Sequence, residues 1–359
     1  MKSRKLSSKT MIAVQVLVVI AFCGAYTLGS RDTRQSFNST FLDQTYYPEV
    51  KIEREVPLRI SPLYDDPSVV TDEELAAVLK QVRPKFPRKH LKPNHVEHAL
   101  RTWSIHSTFQ DPSVVSGAEM CDFLTDHGRY LASWGDEASP LLIDQPNGIS
   151  IRWGSQVGGS VHHDHWLASL TEAGIHRDAP VFAPARRNMD INDVIQQSLR
   201  DFRLDEREIE WSAMAFGLWI SPVKEWQTTD GRTVSFDQLT RRLIRGHKKY
   251  GVCVGTHRVY SLMLLIRLDD EFDILSDAAR AEAYAYLEQV RDLISVCQHE
   301  DGHWPANWME GKAALTSTEV IPEYKNVIAT GHHLEWLAIA PKELHPPHEQ
   351  IVKAAKWVI

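Results

Sequence analysis

The sequence predicts an all-α chain, a ring of helical hairpins with an inner and an outer layer, behind an N-terminal transmembrane helix and carrying one small β-hairpin. Three observations lead there. From about residue 92 onward, apolar residues recur at three and four positions between Gly, Pro and Asp turns. The helices marked in this way are of two alternating kinds: some apolar nearly all round ("YSLMLLIRL", "WSAMAFGLWI"), others amphipathic. Finally, an uncharged run, "MIAVQVLVVIAFCGAYTLGS", follows Lys2, Arg4, Lys5 and Lys9, and its length of about twenty residues suffices to cross a hydrocarbon core as a helix.

Composition bounds the function. With 43% apolar and 24% charged residues, the 359-residue chain is a folded protein rather than a disordered one. A net charge of -7, with no basic stripe beyond the N-terminus, argues against a nucleic-acid partner. The four cysteines, Cys23, Cys121, Cys253 and Cys297, are scattered without a CxxC pair and read as small, mostly buried residues rather than a disulfide framework.

In chain order, residues 1–10 form a basic cytoplasmic start. Residues 11–30 form an uncleaved anchor or a long signal peptide, with the bulk of the chain delivered to the extracytoplasmic side. Residues 31–91 are polar and proline-bearing and read as a linker. One short helix interrupts it, capped by Thr71 and stopped by Pro84. Residues 92–359 form one domain. Its helices are "HVEHALRTWSIH", "SGAEMCDFLTDHGRYLASWG", "SVHHDHWLASLTEAG", "INDVIQQSLRDF", "EREIEWSAMAFGLWI", "SFDQLTRRLIRGHKKYG", "THRVYSLMLLIRLDDEF", "SDAARAEAYAYLEQVRDLISVCQ" and "ATGHHLEWLAIAP". In the amphipathic "SDAARAEAYAYLEQVRDLI", Ala281, Tyr284, Leu287 and Val290 are expected on the inward face. "LLIDQPNGISIRWG" supplies the hairpin, turning at Pro146-Asn147-Gly148.

The inner helices share an opening: "HALRTW", "HHDHWLASL", "EWSAMAF", "THRVYSLM" and "GHHLEWLA" each begin with His or Glu near an aromatic, at spacings of about 46 to 75 residues. This layered, degenerate repeat resembles the α/α toroid of terpenoid cyclases and protein prenyltransferases. "QHEDGHW" is similar to the Gln–x3–Gly–x–Trp core of the cyclases' QW motif. The resemblance implies that Gln298, Gly302 and Trp304 brace an outer helix against the next inner one and do no chemistry. Asp301 and His303, lying between them, remain free to face a ligand. The cyclases' DxDD acid is absent, and "RLDDEFD" reads as a solvated helix end rather than a magnesium-diphosphate motif.

Candidate chemistry concentrates at the inner-helix starts. On one helix His162 and His165 share a face with Trp166, and with His257 or His332 they would hold a divalent metal ion; the alternative is hydrogen bonding across the mouth of the ring. The prenyltransferases hold zinc near that mouth with Asp, Cys and His. His257 and His332 each follow a Gly or Gly-Thr at an expected helix start, where outward N–H groups favour anionic or carbonyl ligands. Arg258 would clamp a carboxylate or phosphate. His332 and Glu335, three apart, make a base and its orienting partner, or else a buried ion pair. Glu210 beside Trp211 is a general acid if dry, and an exposed first-turn residue if not.

The expected protein is therefore membrane-anchored. Glu210, His257, His332 and Glu335 are its catalytic candidates, and Trp166, Trp211, Arg258, Asp301 and His303 its ligand contacts, around a lipid, isoprenoid or glycan ligand that is bound or processed by acid–base chemistry. The alternative is a non-catalytic anchored scaffold or polymer-binding module.

Overall fold

The structure, a computed structural model, describes residues 8–29, 34, 37, 38, 47–246 and 251–359. The basic Lys2, Arg4 and Lys5 and most of the 31–46 linker lie outside the described residues, as does the His247–Tyr250 end of the expected "SFDQLTRRLIRGHKKYG" helix. Helix α1 (Ser8–Leu28) contains an 18-residue window of mean hydropathy 2.2, none of it buried, so it is long and apolar enough to span a membrane or act as a signal sequence. Helix α2 (Asp72–Gln81) has the expected Thr71 cap, completed as a capping box by Glu74.

The body is mostly helical. Its buried members are α3 (Pro93–Trp103), α6 (His165–Glu172), α8 (Glu210–Ile220), α10 (Thr256–Phe272) and α12 (Glu323–Ile339), and each packs on the next in that order. Around them run α4 (Gly117–Thr125), α5 (His127–Trp134), α7 (Ile191–Asp201), α9 (Phe236–Ile244), α11 (Asp277–Cys297) and α13 (His348–Val358). Every residue of α8 is buried, as its uniformly apolar sequence requires. Gly217 lets α8 and α10 meet closely, because a Cβ there would stand 2.7 Å from Leu268 Cδ1 and 3.3 Å from Leu265 Cδ2. In amphipathic α11 the inward face is Ala279, Ala283, Leu287, Val290 and Ile294. Ala281 is exposed and Tyr284 half-buried, so the expected stripe is displaced by two residues at its start.

The expected hairpin pairs β1 (Leu142–Gln145) with β2 (Gly148–Ile151), antiparallel, with Gln145 opposite Gly148. Two shorter antiparallel pairs occur, β3 (Pro180–Val181) with β4 (Met189–Asp190) and β5 (Glu225–Gln227) with β6 (Thr233–Ser235).

Four local expectations are corrected. Residues 50–63 do not hang free as linker: Ile52 joins the core, Leu58 N donates to Leu218 O at 3.0 Å, and Leu63 N donates to Ala338 O at 2.8 Å. The single helix expected over 116–135 is two, broken at Asp126, whose side chain caps the second. The helix expected from Ser160 begins only at His165, because Asp164 takes a left-handed conformation (φ 55°) and accepts hydroxyls from Ser198 (2.7 Å) and Ser212 (2.5 Å). His162 therefore lies in a turn and shares no helix face with His165. Gly331 is not a helix start either: α12 begins eight residues earlier, so His332 stands in mid-helix and meets no free N–H groups.

"QHEDGHW" is a joint. Gln298 Nε2 donates to Gly302 O (2.8 Å) and to Gln350 O on α13 (2.7 Å), and buried Trp304 Nε1 donates to Ile294 O (3.0 Å). Trp304 N donates to Thr330 Oγ1 of α12 at 3.0 Å. Gly302 turns at φ 107°, and a Cβ there would lie 2.5 Å from the Lys353 carbonyl oxygen. At the end of α10, Asp269 and Asp270 pair with Arg280 (2.7 and 2.6 Å) and Asp273 with Lys224 (2.8 Å), which accounts for "RLDDEFD" without a metal.

Candidate functional site

A charged residue of these packed helices that turns into the body loses water and must find partners there. On α3, Glu97 and Arg101 are four apart, and Arg101 reaches two other helices. Its Nε donates to Glu172 Oε2 on α6 at 2.5 Å and its Nη2 to Glu335 Oε1 on α12 at 2.7 Å. Tyr260 on α10 donates its hydroxyl to Glu172 Oε1 at 2.8 Å. His332 Nδ1 lies 2.6 Å from Glu335 Oε2. One guanidinium thus anchors a network that joins α3, α6, α10 and α12, in which Glu335 and His332 keep side-chain exposures of 29% and 19% and form its solvent-facing rim.

Trp211 lies beneath this network. The Arg101 guanidinium sits 5.0 Å from its ring, and the His165 and His257 rings lie at 4.2 Å each. His332 packs on His257 at 4.2 Å and His98 on His165 at 4.7 Å. Several of these groups have polar atoms without a hydrogen-bond partner: both nitrogens of His257, both nitrogens of His165, both carboxylate oxygens of Glu97, and Trp211 Nε1. His165 Nδ1 and Glu97 Oε2 approach to 2.6 Å, but without hydrogen-bond alignment.

Burial and charge pull the titrations apart. Burial raises Glu97 to about 7. Burial, then the neighbouring His165, lowers His98 to about 4, and burial takes His257 and His165 well below the usual histidine range. Desolvation works against charge at His332 also, but Glu335 and then Cys253 outweigh it and raise the imidazole to about 9. For Glu335 itself burial is opposed by Arg101 and His332, which together hold it at about 2.

A third element enters from the chain before α10. The turn Val252–Gly255 runs left-handed at Cys253 (φ 49°), Val254 (φ 55°) and Gly255 (φ 83°), and Thr256 Oγ1 donates to Cys253 O at 2.6 Å. It carries Cys253 back over the start of α10, where one donor atom each from Cys253, His257 and His332 lies within 4.8 Å of the others.

The structure brings together His257, His332, Glu335 and Trp211 of the expected site residues. Glu210 is buried rather than exposed, raised by burial, but turned to its own helix start. Its Oε2 accepts Ile209 N at 3.0 Å, and Arg258 lies 3.9 Å away. Arg258 Nη1 donates to Gly246 O at 3.1 Å, so this guanidinium is a brace and not a ligand clamp. Trp166 points into the core and donates to Leu124 O at 3.2 Å. Asp301 and His303 bond each other at 2.6 Å beside His299 and Trp357. The expected metal pair is not assembled: His162 Nδ1 is held by Glu208 at 2.7 Å, and the Trp211 indole lies between His165 and His257.

Sequence reasoning missed Glu97, Arg101, Glu172, Tyr260 and Cys253. For the first three a signal exists: ionisable residues on helices otherwise destined for burial. Cys253 carries none, because only the left-handed turn aims it. No family model, curated protein or solved structure matches the chain.

Proposed function

We propose that this is a membrane-anchored protein with an extracytoplasmic body of the α/α-toroid type, and that the cluster around Trp211 binds a lipid, isoprenoid or glycan ligand and processes it by acid–base chemistry. The observation that carries this reading is the set of unpartnered polar atoms on Trp211, on His165 and His257 packed against its indole, and on Glu97 beside His165. A buried polar group without a partner costs about 1–3 kcal/mol, and a ligand that supplies hydrogen bonds recovers that cost. The consecutive packing of five buried helices, closed through Arg101 and Glu335 between α3 and α12, supports the ring.

Electrostatics narrows the ligand. Arg101 already faces two carboxylates, and Arg258 is bonded within the body, so the cluster offers no unengaged guanidinium for a diphosphate. A neutral, hydroxyl-rich or carbonyl-bearing group suits it better. Glu97, with a pKa of about 7, is the group suited to give and take a proton near neutral pH.

The test is native mass spectrometry of the full chain, purified from its own membranes in mild detergent, beside Trp211→Ala. A non-covalent adduct of lipid or glycan mass that the variant loses is the expected result. Identical spectra for folded forms of both proteins would remove the ligand reading.

A further inference from the structure

The geometry points to a metal centre at Cys253, His257 and His332, with zinc the ion its donors suit. It deepens the ligand-binding reading by giving that site a cofactor, and it rests on that reading only for what the metal would act upon. Four observations converge. One donor atom from each residue lies within 4.8 Å of the other two. In a tetrahedral zinc site, Zn–N of about 2.0–2.1 Å and Zn–S of about 2.3 Å put donors about 3.3–3.6 Å apart, so closing on an ion requires side-chain shifts of about 1 Å.

His257 is fully buried, and neither ring nitrogen has a partner, whereas a ligating histidine uses one of them on the metal. His332 has its Nδ1 held by Glu335 at 2.6 Å, which leaves Nε2 for an ion, and Arg101 holds Glu335 in turn at 2.7 Å. This is the carboxylate–histidine arrangement that orients a metal ligand and raises its basicity. The fourth observation is the turn itself. Three successive left-handed residues, one of them the β-branched Val254, are costly backbone, and their effect is to return the Cys253 sulfur to the histidine four residues ahead.

One thiolate and two imidazoles suit a borderline-soft ion and exclude magnesium or calcium, which take oxygen donors. Three protein ligands leave a fourth tetrahedral position for water or substrate, the pattern of a reacting rather than a purely structural zinc. The ion binds the thiolate and neutral imidazoles, so metal binding weakens as pH falls and protons compete for the donors.

The experiment is cobalt(II) titration of the full chain in detergent after chelator treatment, read by absorbance. One equivalent should give the intense d–d bands of a tetrahedral ion with a thiolate-to-cobalt charge-transfer band, and zinc should displace it stoichiometrically. Cys253→Ser should lose the charge-transfer band. Cys121→Ser and Cys297→Ser should keep it, and Glu335→Gln should weaken binding about 10–100-fold. Tryptophan fluorescence checks that each variant is folded; if Cys253→Ser is not, His332→Gln carries the same question. Absence of the bands in the wild-type chain, or their survival in folded Cys253→Ser, overturns the centre. Cobalt binding without any native adduct would instead leave the metal standing and remove the ligand reading.

Discussion

Glu97 offers a quantitative test of the cluster, through Glu97→Gln. In the unfolded chain a glutamate ionises near 4.5, whereas burial keeps this one protonated to about 7. Between those values the unfolded state binds fewer protons than the folded one, so the contribution of Glu97 to stability falls as pH rises and levels off above about 7. A gap of about 2.5 pH between the two midpoints, at about 1.36 kcal/mol per pH, amounts to roughly 3 kcal/mol. Glutamine keeps the shape and cannot ionise. The stability of Glu97→Gln minus that of the wild type should therefore climb by about 3 kcal/mol from about pH 4.5 to about pH 7. His98, held down at about 4, slopes the opposite way over an overlapping window, because there the unfolded chain binds more protons. His98 feels the Glu97 charge, so the same comparison in a His98→Gln background removes that slope and isolates Glu97. The assay is urea unfolding of the full chain in detergent at a series of pH values, followed by tryptophan fluorescence. The first tryptophan is Trp103, so the signal reports the body and not α1. A difference flat with pH to within ~0.5 kcal/mol, or one that falls, would mean that Glu97 is charged in the folded protein and paired with His165 as an ion pair.

Two further perturbations address the frame. Gly302→Ala forces a side chain onto a φ of 107° and against the Lys353 carbonyl at 2.5 Å, and should lower stability by about 2–4 kcal/mol; an unchanged unfolding midpoint would refute the tight joint. Arg101→Leu leaves Glu172 and Glu335 without their shared cation. It should destabilise the body by about 3 kcal/mol, the low end for a broken buried pair because Glu335 is partly exposed, and Arg101→Leu/Glu335→Gln should recover part of that loss.

Much of the helical frame is legible in the sequence because it rests on local rules. The Ser276-capped α11, the uniformly apolar α8 and the apolar middle of α10 declare themselves by period and by composition. The undetected strap and the late start of α6 share one cause, tertiary partners that no local pattern records. Asp164 bends the chain left-handed toward Ser198 and Ser212, far along the sequence, and so delays α6 to His165. Gly331 resembles a helix boundary, yet it sits inside α12 with nothing within 4 Å of where its Cβ would be. The site follows the same division. His257, His332, Glu335 and Trp211 stand out as residue types, whereas Arg101 matters only because two carboxylates from other helices converge on it.

The docked stretch from Val50 to Leu63 has a mechanical meaning. Gln196 holds Val50 through both its amide oxygen (2.9 Å) and its nitrogen (2.7 Å), and the bonds to Leu218 and Ala338 follow along the same strap. These bonds lie side by side along one extended stretch, so a force on the chain N-terminal to Val50 would be shared among several of them. Leu218 and Ala338 lie near the C-terminal ends of α8 and α12, at the far end of α8 from Trp211. Such a clamp, like the one on a cable, would take up the load at a point remote from Trp211 and spare the angstrom-scale geometry of the cluster.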